Sequence, residues 1–495
     1  GSANAAIGLK SLRGNTTGTR NIAFGNNALD ESDTENDNLA IGYDALGGVI
    51  DGGEYNVAIG NYSLDALTTG DNNIAIGYQA LTTNTTGERN TTSGYRALYN
   101  NTAGGYNVAM GAGVMYSNTE GSYNTALGAG ALWTNTTGTR NIAIGYSSYD
   151  GADTENDNLA IGYDALGGSI AGGEYNVAIG NYSMDALTSG DYNTAIGYNT
   201  LTANTYGYNN TAVGSKSLYS NTSGGDNTAA GDQALSLNTT GNYNSAFGTL
   251  ALQDNISGSG NTAVGRRALE NNTSSSNTGV GYYAGDLITT GSYNTIIGRD
   301  ADVSSNSATN QTAIGYGATG HGDNIAVIGN ASMTAWHPAD DNGVDLGSSS
   351  YEFKDLYVDG TAYLDAISLG GTITPITDDT YSLGSSSLQF DNLYVDGTAN
   401  LDAVSLGGNI TPTGDDSWDL GSSSYEFDDL YVDGVANLDA VRTGLIEYND
   451  GDDAITIADG GDMDFNDNPI SNFSASTVAI TSTTTLAQST HNGKV

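Results

Sequence analysis

The chain has 495 residues, with 56 acidic against 13 basic side chains, a net charge of −43, seventy glycines, four prolines and no cysteine. So few cations cannot neutralise a phosphate backbone, which sets nucleic acid aside as a partner. The missing cysteines remove disulfide and thiol chemistry, and no run of 18 apolar residues argues for a membrane-spanning helix or membrane insertion.

From Asn4 to Gly315 nineteen copies of one pattern, Asn-x-Ala-x-Gly, follow one another, with Ala in sixteen of them and Gly in all, beginning at Asn4, Asn21, Asn38 and Asn56 and ending at Asn294 and Gln311. Fifteen of the eighteen intervals are 17 residues, two are 18 and one is 16. A short fixed period held this long is the signature of a solenoid in which each copy is one coil stacked on the last. The copies are crowded with Gly, Asn and Thr and lack a 3.6-residue apolar period, so the coil is not helical. Asn73 to Glu88 reads as a first strand Asn-Ile-Ala-Ile-Gly-Tyr, a corner, a short second strand at Ala80-Leu81, and the turn Asn84-Thr85-Thr86-Gly87. The predicted fold is therefore all-β, an elongated parallel β-roll or β-solenoid over residues 1–320. Nineteen coils at roughly 4.8 Å each give a roll of about 90 Å.

Stacking accounts for the sameness of the copies. Side chains at equivalent positions lie one coil apart, so the repeat Asn can build an amide ladder and the repeat Gly permits positive φ or close backbone approach. Along the first strand, positions three and five (Ala, Gly) face one way and position four (Ile7, Phe24, Ile41, Val213, Phe247) the other. Both faces are apolar or small, and a thin coil can bury only one of them. The expectation is that the Ile row fills the coil and the Ala/Gly row lets subunits approach closely, the reverse assignment being the alternative.

The runs Asn-Thr-Ala-Ile-Gly-Tyr, Asn-Thr-Ala-Val-Gly and Asn-Val-Ala-Ile-Gly resemble the head repeats of trimeric autotransporter adhesins of the YadA type, and equally the same repeats in tail fibres of tailed viruses. The resemblance covers about residues 4 to 315 and implies a left-handed parallel β-roll packed as a homotrimer. The period of 17 is longer than that of the usual adhesin coil.

Residues 15 to 72 recur at 135 to 192 with few changes, an offset of seven coils, so a local site in the first block is expected twice. After a degenerate copy at Asn324 to Gly329, Trp336-His337-Pro338 interrupts the pattern, and 321–345 reads as a transition. Three 37-residue units occupy 346–442; the sequence Leu346-Gly347-Ser348-Ser349-Ser350-Tyr351-Glu352-Phe353-Lys354-Asp355-Leu356-Tyr357 is echoed with few changes from Leu383 and from Leu420. These units resemble the distal repeats of phage tail fibres, which favours a viral fibre over a cellular adhesin. The segment 443–495 carries short strand signals at Ile455, Ile457, Val478 and Ile480, and its end at Val495 reads as cut rather than capped.

Three histidines, His321, His337 and His491, give no convincing triad or zinc set, and carboxylates are so plentiful that no pair stands out as the acid and base of a glycosidase. The chain is accordingly read as a non-enzyme that requires no cofactor, with a glycan-cleaving fibre as one alternative. Calcium is the best-motivated ion, because the duplicated loops Asp30 to Asp37 and Asp150 to Asp157 cluster oxygen ligands; Asp33, Glu35, Asp153 and Glu155 are its candidate ligands, against hydrated acidic loops as the plainer reading. Tyrosines recur after the repeat Gly, as at Tyr78, Tyr163 and Tyr198, and before the repeat Asn; such columns brace a sheet or, if exposed, offer glycans a ring face. Trp336 and Trp418, where the repeats break, are the candidate receptor contacts. The resulting expectation is an extracellular host-attachment fibre on a virion tail, with other tail proteins and a host receptor or glycan as partners and a cell-surface adhesin as the alternative. Its acidic, Lys-poor surface suits a saline setting.

Overall fold

The computed structural model describes residues 2–336 together with 346–359, 361–362, 393–395, 399 and 401. It is a parallel β-solenoid, and no helix occurs among the described residues. Each coil contributes one three-residue strand, from Ala5–Ile7 through Ile74–Ile76 to Ala326–Ile328, and these join in a single 20-stranded sheet. The register is strict: Ile74, Ala75 and Ile76 pair with Thr91, Thr92 and Ser93, and the two 18-residue coils keep the same Ala-on-Ala pairing. The degenerate copy at Asn324 supplies the twentieth strand, with Ala313 paired to Val327.

The second strand expected at Ala80-Leu81 is a stacked turn instead. Leu81 has φ 51°, in the left-handed region, and the equivalent Leu29, Leu98 and Leu201 share it. The wall still bonds coil to coil, Leu81 N–H donating to Ala97 O at 3.0 Å, without the extended geometry of a strand. Among the described residues only Glu31–Ser32 and Val49–Ile50 form a small second sheet.

The faces of the first strand are also the reverse of the expected assignment. The Ala row, including Ala75, Ala143 and Ala195, is fully buried, whereas the Ile row lies outside, with Ile76 41% and Phe247 44% exposed. The reason lies across the coil. Position nine (Leu29, Leu81, Leu132, Met184) points inward from the turn wall and is fully buried, so the narrow interior has room opposite it for little more than a methyl group. Where Ile296 enters at the Ala position, the neighbouring coil has Gly279 and Gly285 in place of Ala and Leu, and the space is filled by Leu269, whose Cγ and Cδ2 would lie 2.7 and 2.8 Å from a Cβ on Gly279 and Gly285, with Ile296 Cγ1 3.6 Å from the latter. Large is compensated by small, as close packing requires.

The expected amide ladder is continuous. In every coil from Asn21 to Gln311 the main-chain N–H at position one donates to the side-chain oxygen of the preceding position-one Asn. A second ladder joins Asn84, Asn101, Asn118 and Asn135, each Nδ2 donating to the preceding Oδ1 at 2.7 Å. It stops at Ala152, which leaves the buried Asn135 Oδ1 without a partner. Burial of amides in this number is tolerable only because each is bonded to the next.

Candidate functional site

The outward strand face is the most extensive feature of the roll. Positions two and four point the same way, so Ile22 and Phe24, Ile74 and Ile76, or Ile142 and Ile144 stack into two apolar columns, these members between 37% and 41% exposed. Parallel pairing in register carries position four along the sheet as an apolar column broken at Ser93, whereas position two is polar at Thr91 and Thr125 and is Thr or Ser in every coil from Thr194 to Thr312. Their neighbours in sequence are the Tyr positions, two residues after position four (Tyr78, Tyr163, Tyr198) and two before position two (Tyr106, Tyr123, Tyr175).

The Tyr positions form ladders. Tyr78 stacks on Tyr95 with centroids 5.6 Å apart and meets Tyr62 edge-on at 6.1 Å; Tyr163 stacks on Tyr146 at 5.5 Å and meets Tyr182 edge-on; Tyr198 continues that run at 6.2 Å. Tyr106 on Tyr123 and Tyr175 on Tyr192 stack likewise at 4.9 and 5.0 Å. The inner ring faces are therefore spent on one another, and edges and hydroxyls remain for solvent.

The acidic loops are internally bonded. The Glu35 carboxylate is buried and accepts from Ser32 Oγ at 2.9 Å, the N–H groups of Asp33 and Thr34 at 2.9 and 3.0 Å, and Gly52 N–H at 3.1 Å. Burial pushes its pKa up, but these donors outweigh burial and hold it below the usual carboxylate range. Glu155 repeats the arrangement with the N–H groups of Asp153, Thr154 and Gly172. Asp33 and Asp153 accept from Thr16 and Thr136 of the preceding coil. Asp37 and Asp157 take bidentate pairs from Arg20 and Arg140, and the hydrogen bond from Arg20 holds Asp37 below its ordinary range. Among the described residues no three His, Cys, Asp or Glu side chains converge in a group that could hold a metal ion. We expect chelation at constant ionic strength to leave the melting curve unchanged. A fall in melting temperature reversed by added calcium would instead support Asp33, Glu35, Asp153 and Glu155 as its ligands.

Burial pushes up the carboxyl pKa values of Asp65, Asp150, Asp185 and Glu270, and that of Asp302 furthest. Burial, and a hydrogen bond shared with Asp286, raise Asp302 to about 7, while its oxygens accept the N–H groups of Val303 and Leu287 at 2.8 and 3.1 Å. Both oxygens are held by main chain. Trp336 is 70% exposed; Trp418 and the segment 443–495 lie outside the described residues, as does most of the 37-residue repeat region.

A third aromatic column, at position ten, escaped the sequence reading because it has only three consecutive members. Tyr99, Tyr116 and Trp133 stack with centroids 5.2 and 4.8 Å apart. Beside it, positions six and seven change from Tyr95-Arg96 to Ala112-Gly113 and Ala129-Gly130, opening a cavity of about 290 Å³ lined by Tyr95, Arg96, Ala112, Gly113, Tyr116 and Trp133. The signal was present as two consecutive Ala-Gly pairs where other coils carry larger side chains.

Neither protein-family models nor curated protein sequences give a match to this chain.

Proposed function

We propose that the chain is the shaft and host-attachment part of a homotrimeric extracellular fibre, carried by a virion tail and acting without catalysis. The observation that supports it best is the outward row at position four, which is apolar in every coil except at Ser93 and runs the length of the sheet. Contiguous exposed apolar surface of this extent marks a protein interface. Because nearly every coil presents this row at the same height, copies placed side by side match coil for coil, and three copies around one axis cover the row on each chain. The tail-fibre assignment within that reading rests on the resemblance of the 37-residue units, and the acidic surface suits a saline medium.

A regular roll offers the same surface at every coil and is better suited to setting distance than to discriminating a receptor. Attachment is accordingly placed in 321–495, with Trp336 and Trp418 as contacts. The test is to prepare 1–320 and 321–495 separately, establish the oligomeric state of each, and measure binding to host cells. Binding is expected from the distal piece. Strong binding by the roll alone, with none by 321–495, would transfer attachment to the roll and its tyrosine columns.

A further inference from the structure

We propose that the notch between Tyr95-Arg96 and Trp133 binds a carboxylate-bearing sugar residue, such as a uronic acid within a surface polysaccharide. This goes beyond the fibre reading, which places attachment past residue 320.

Three independent features converge there. The first is shape. Ala112 and Gly113 replace the large side chains found at these positions one coil earlier, and the Trp133 indole leans over Gly113, where an added Cβ would lie 3.0 Å from Cε3 and nearer still to Cζ3. The resulting cavity, about 290 Å³, is at the small end of ligand sites and suits a single sugar ring. The second is chemistry. Tyr95 and Trp133 are exposed and Tyr116 half-buried, so aromatic rings line the space in which the C–H face of a pyranose would lie, and the Tyr95 and Tyr116 hydroxyls can meet sugar hydroxyls.

The third is charge. The Arg96 guanidinium lies 5.2 Å from the Tyr95 ring centroid and 5.3 Å from that of Tyr99, and its Nε donates to Gln79 Oε1 at 2.8 Å. Among the described residues Arg96 has no carboxylate partner, and neither has Arg266, whereas Arg13, Arg20, Arg89, Arg140, Arg267 and Arg299 each have one. Its two terminal nitrogens are left for an incoming anion, in a geometry suited to a carboxylate. The surroundings permit an anion to approach. Residues 73 to 139 contain two acids, Glu88 and Glu120, balanced by Arg89 and Arg96, in a chain whose net charge is −43. Both acids fall at positions fourteen and sixteen, well along the coil from the notch residues at six, seven and ten; the acid nearest the notch at one of those positions is Asp150, at position ten of the coil after Trp133 and three coils from Arg96.

The experiment is isothermal titration of the full chain at low ionic strength with trigalacturonic acid, and with neutral galactotriose as the matched probe. The acidic trisaccharide is expected to bind at least about tenfold more tightly, with the preference shrinking as salt is added. Arg96→Gln should remove that preference. Ala112→Glu, at an exposed site that should tolerate the change, should abolish binding of the acidic probe by filling the notch with like charge. Trp133→Ala should weaken both sugars, and Tyr243→Ala, on a distant exposed tyrosine, should change neither. Failure of both sugars to bind, equal affinity for the two, or an acidic preference that survives Arg96→Gln and Ala112→Glu would each overturn the proposal. No host cell enters this assay, so it fails or succeeds separately from the location of host attachment.

Discussion

Gly145→Ala is expected to destabilise the roll by more than about 3 kcal/mol, whereas Gly172→Ala should cost only about 1–2 kcal/mol. The two glycines have similar backbones, φ 142° and 122°, so both substitutions carry the strain of an L side chain in a glycine conformation. They differ in what a methyl group would meet. At Gly172 nothing lies within 4 Å, while a Cβ on Gly145 would lie 2.7 Å from the carbonyl carbon of Gly162 and closer to its oxygen. That oxygen cannot retreat easily. Gly162 N–H donates to Ile144 O at 2.8 Å, and the amide ladder ties Asn158 N–H to Asn141 Oδ1 at 3.0 Å, so the coil spacing is fixed on both sides of the strand. Equilibrium unfolding followed by circular dichroism measures the difference. Hydrogen exchange of neighbouring coils then shows whether the loss is local, as nearest-neighbour coupling in a repeat array predicts. Equal costs at the two sites would mean that strain, not coil spacing, makes the repeat glycine obligatory.

The paired change Ile144→Asp and Ile161→Asp should turn a trimer into a monomer while leaving the coil folded. Ile144 is 37% exposed in the single chain and Ile161 half-buried, and both sit on the outer side of the strand, so the fold itself does not require either. In an assembly built on this face each loses apolar burial worth about 1.5–3 kcal/mol and gains a carboxylate without a partner. Since both changes occur three times per trimer, the concentration at half dissociation should rise at least about a hundredfold. Light scattering at micromolar concentration reads mass, and far-UV circular dichroism reads the roll. Were the unaltered chain monomeric, the proposed assembly would fall; were the variant still trimeric, the interface would have to lie elsewhere.

The period was legible in the sequence because stacking imposes it. Each coil sees only its neighbours, so the Asn that continues the ladder and the Gly that admits the next carbonyl must recur at a fixed interval, and together they determined the all-β parallel solenoid and its coils. The sequence also marked the duplicated loops, since Glu35 and Glu155 sit in nearly identical contexts. It could not decide which strand face lies inside. Ala and Ile are both acceptable in a core, and the choice depends on how far Leu81 and its equivalents reach from the opposite wall, a distance set by left-handed turns that composition does not reveal. Nor could it show that main-chain N–H groups surround the Glu35 carboxylate, because their direction is set by the folded loop and by the next coil. The notch beside Trp133 likewise belongs to the tertiary structure. Arg96, Ala112, Gly113 and Trp133 are spread over three coils, and only the stacking that places them side by side makes a missing side chain in one coil into a cavity walled by the others.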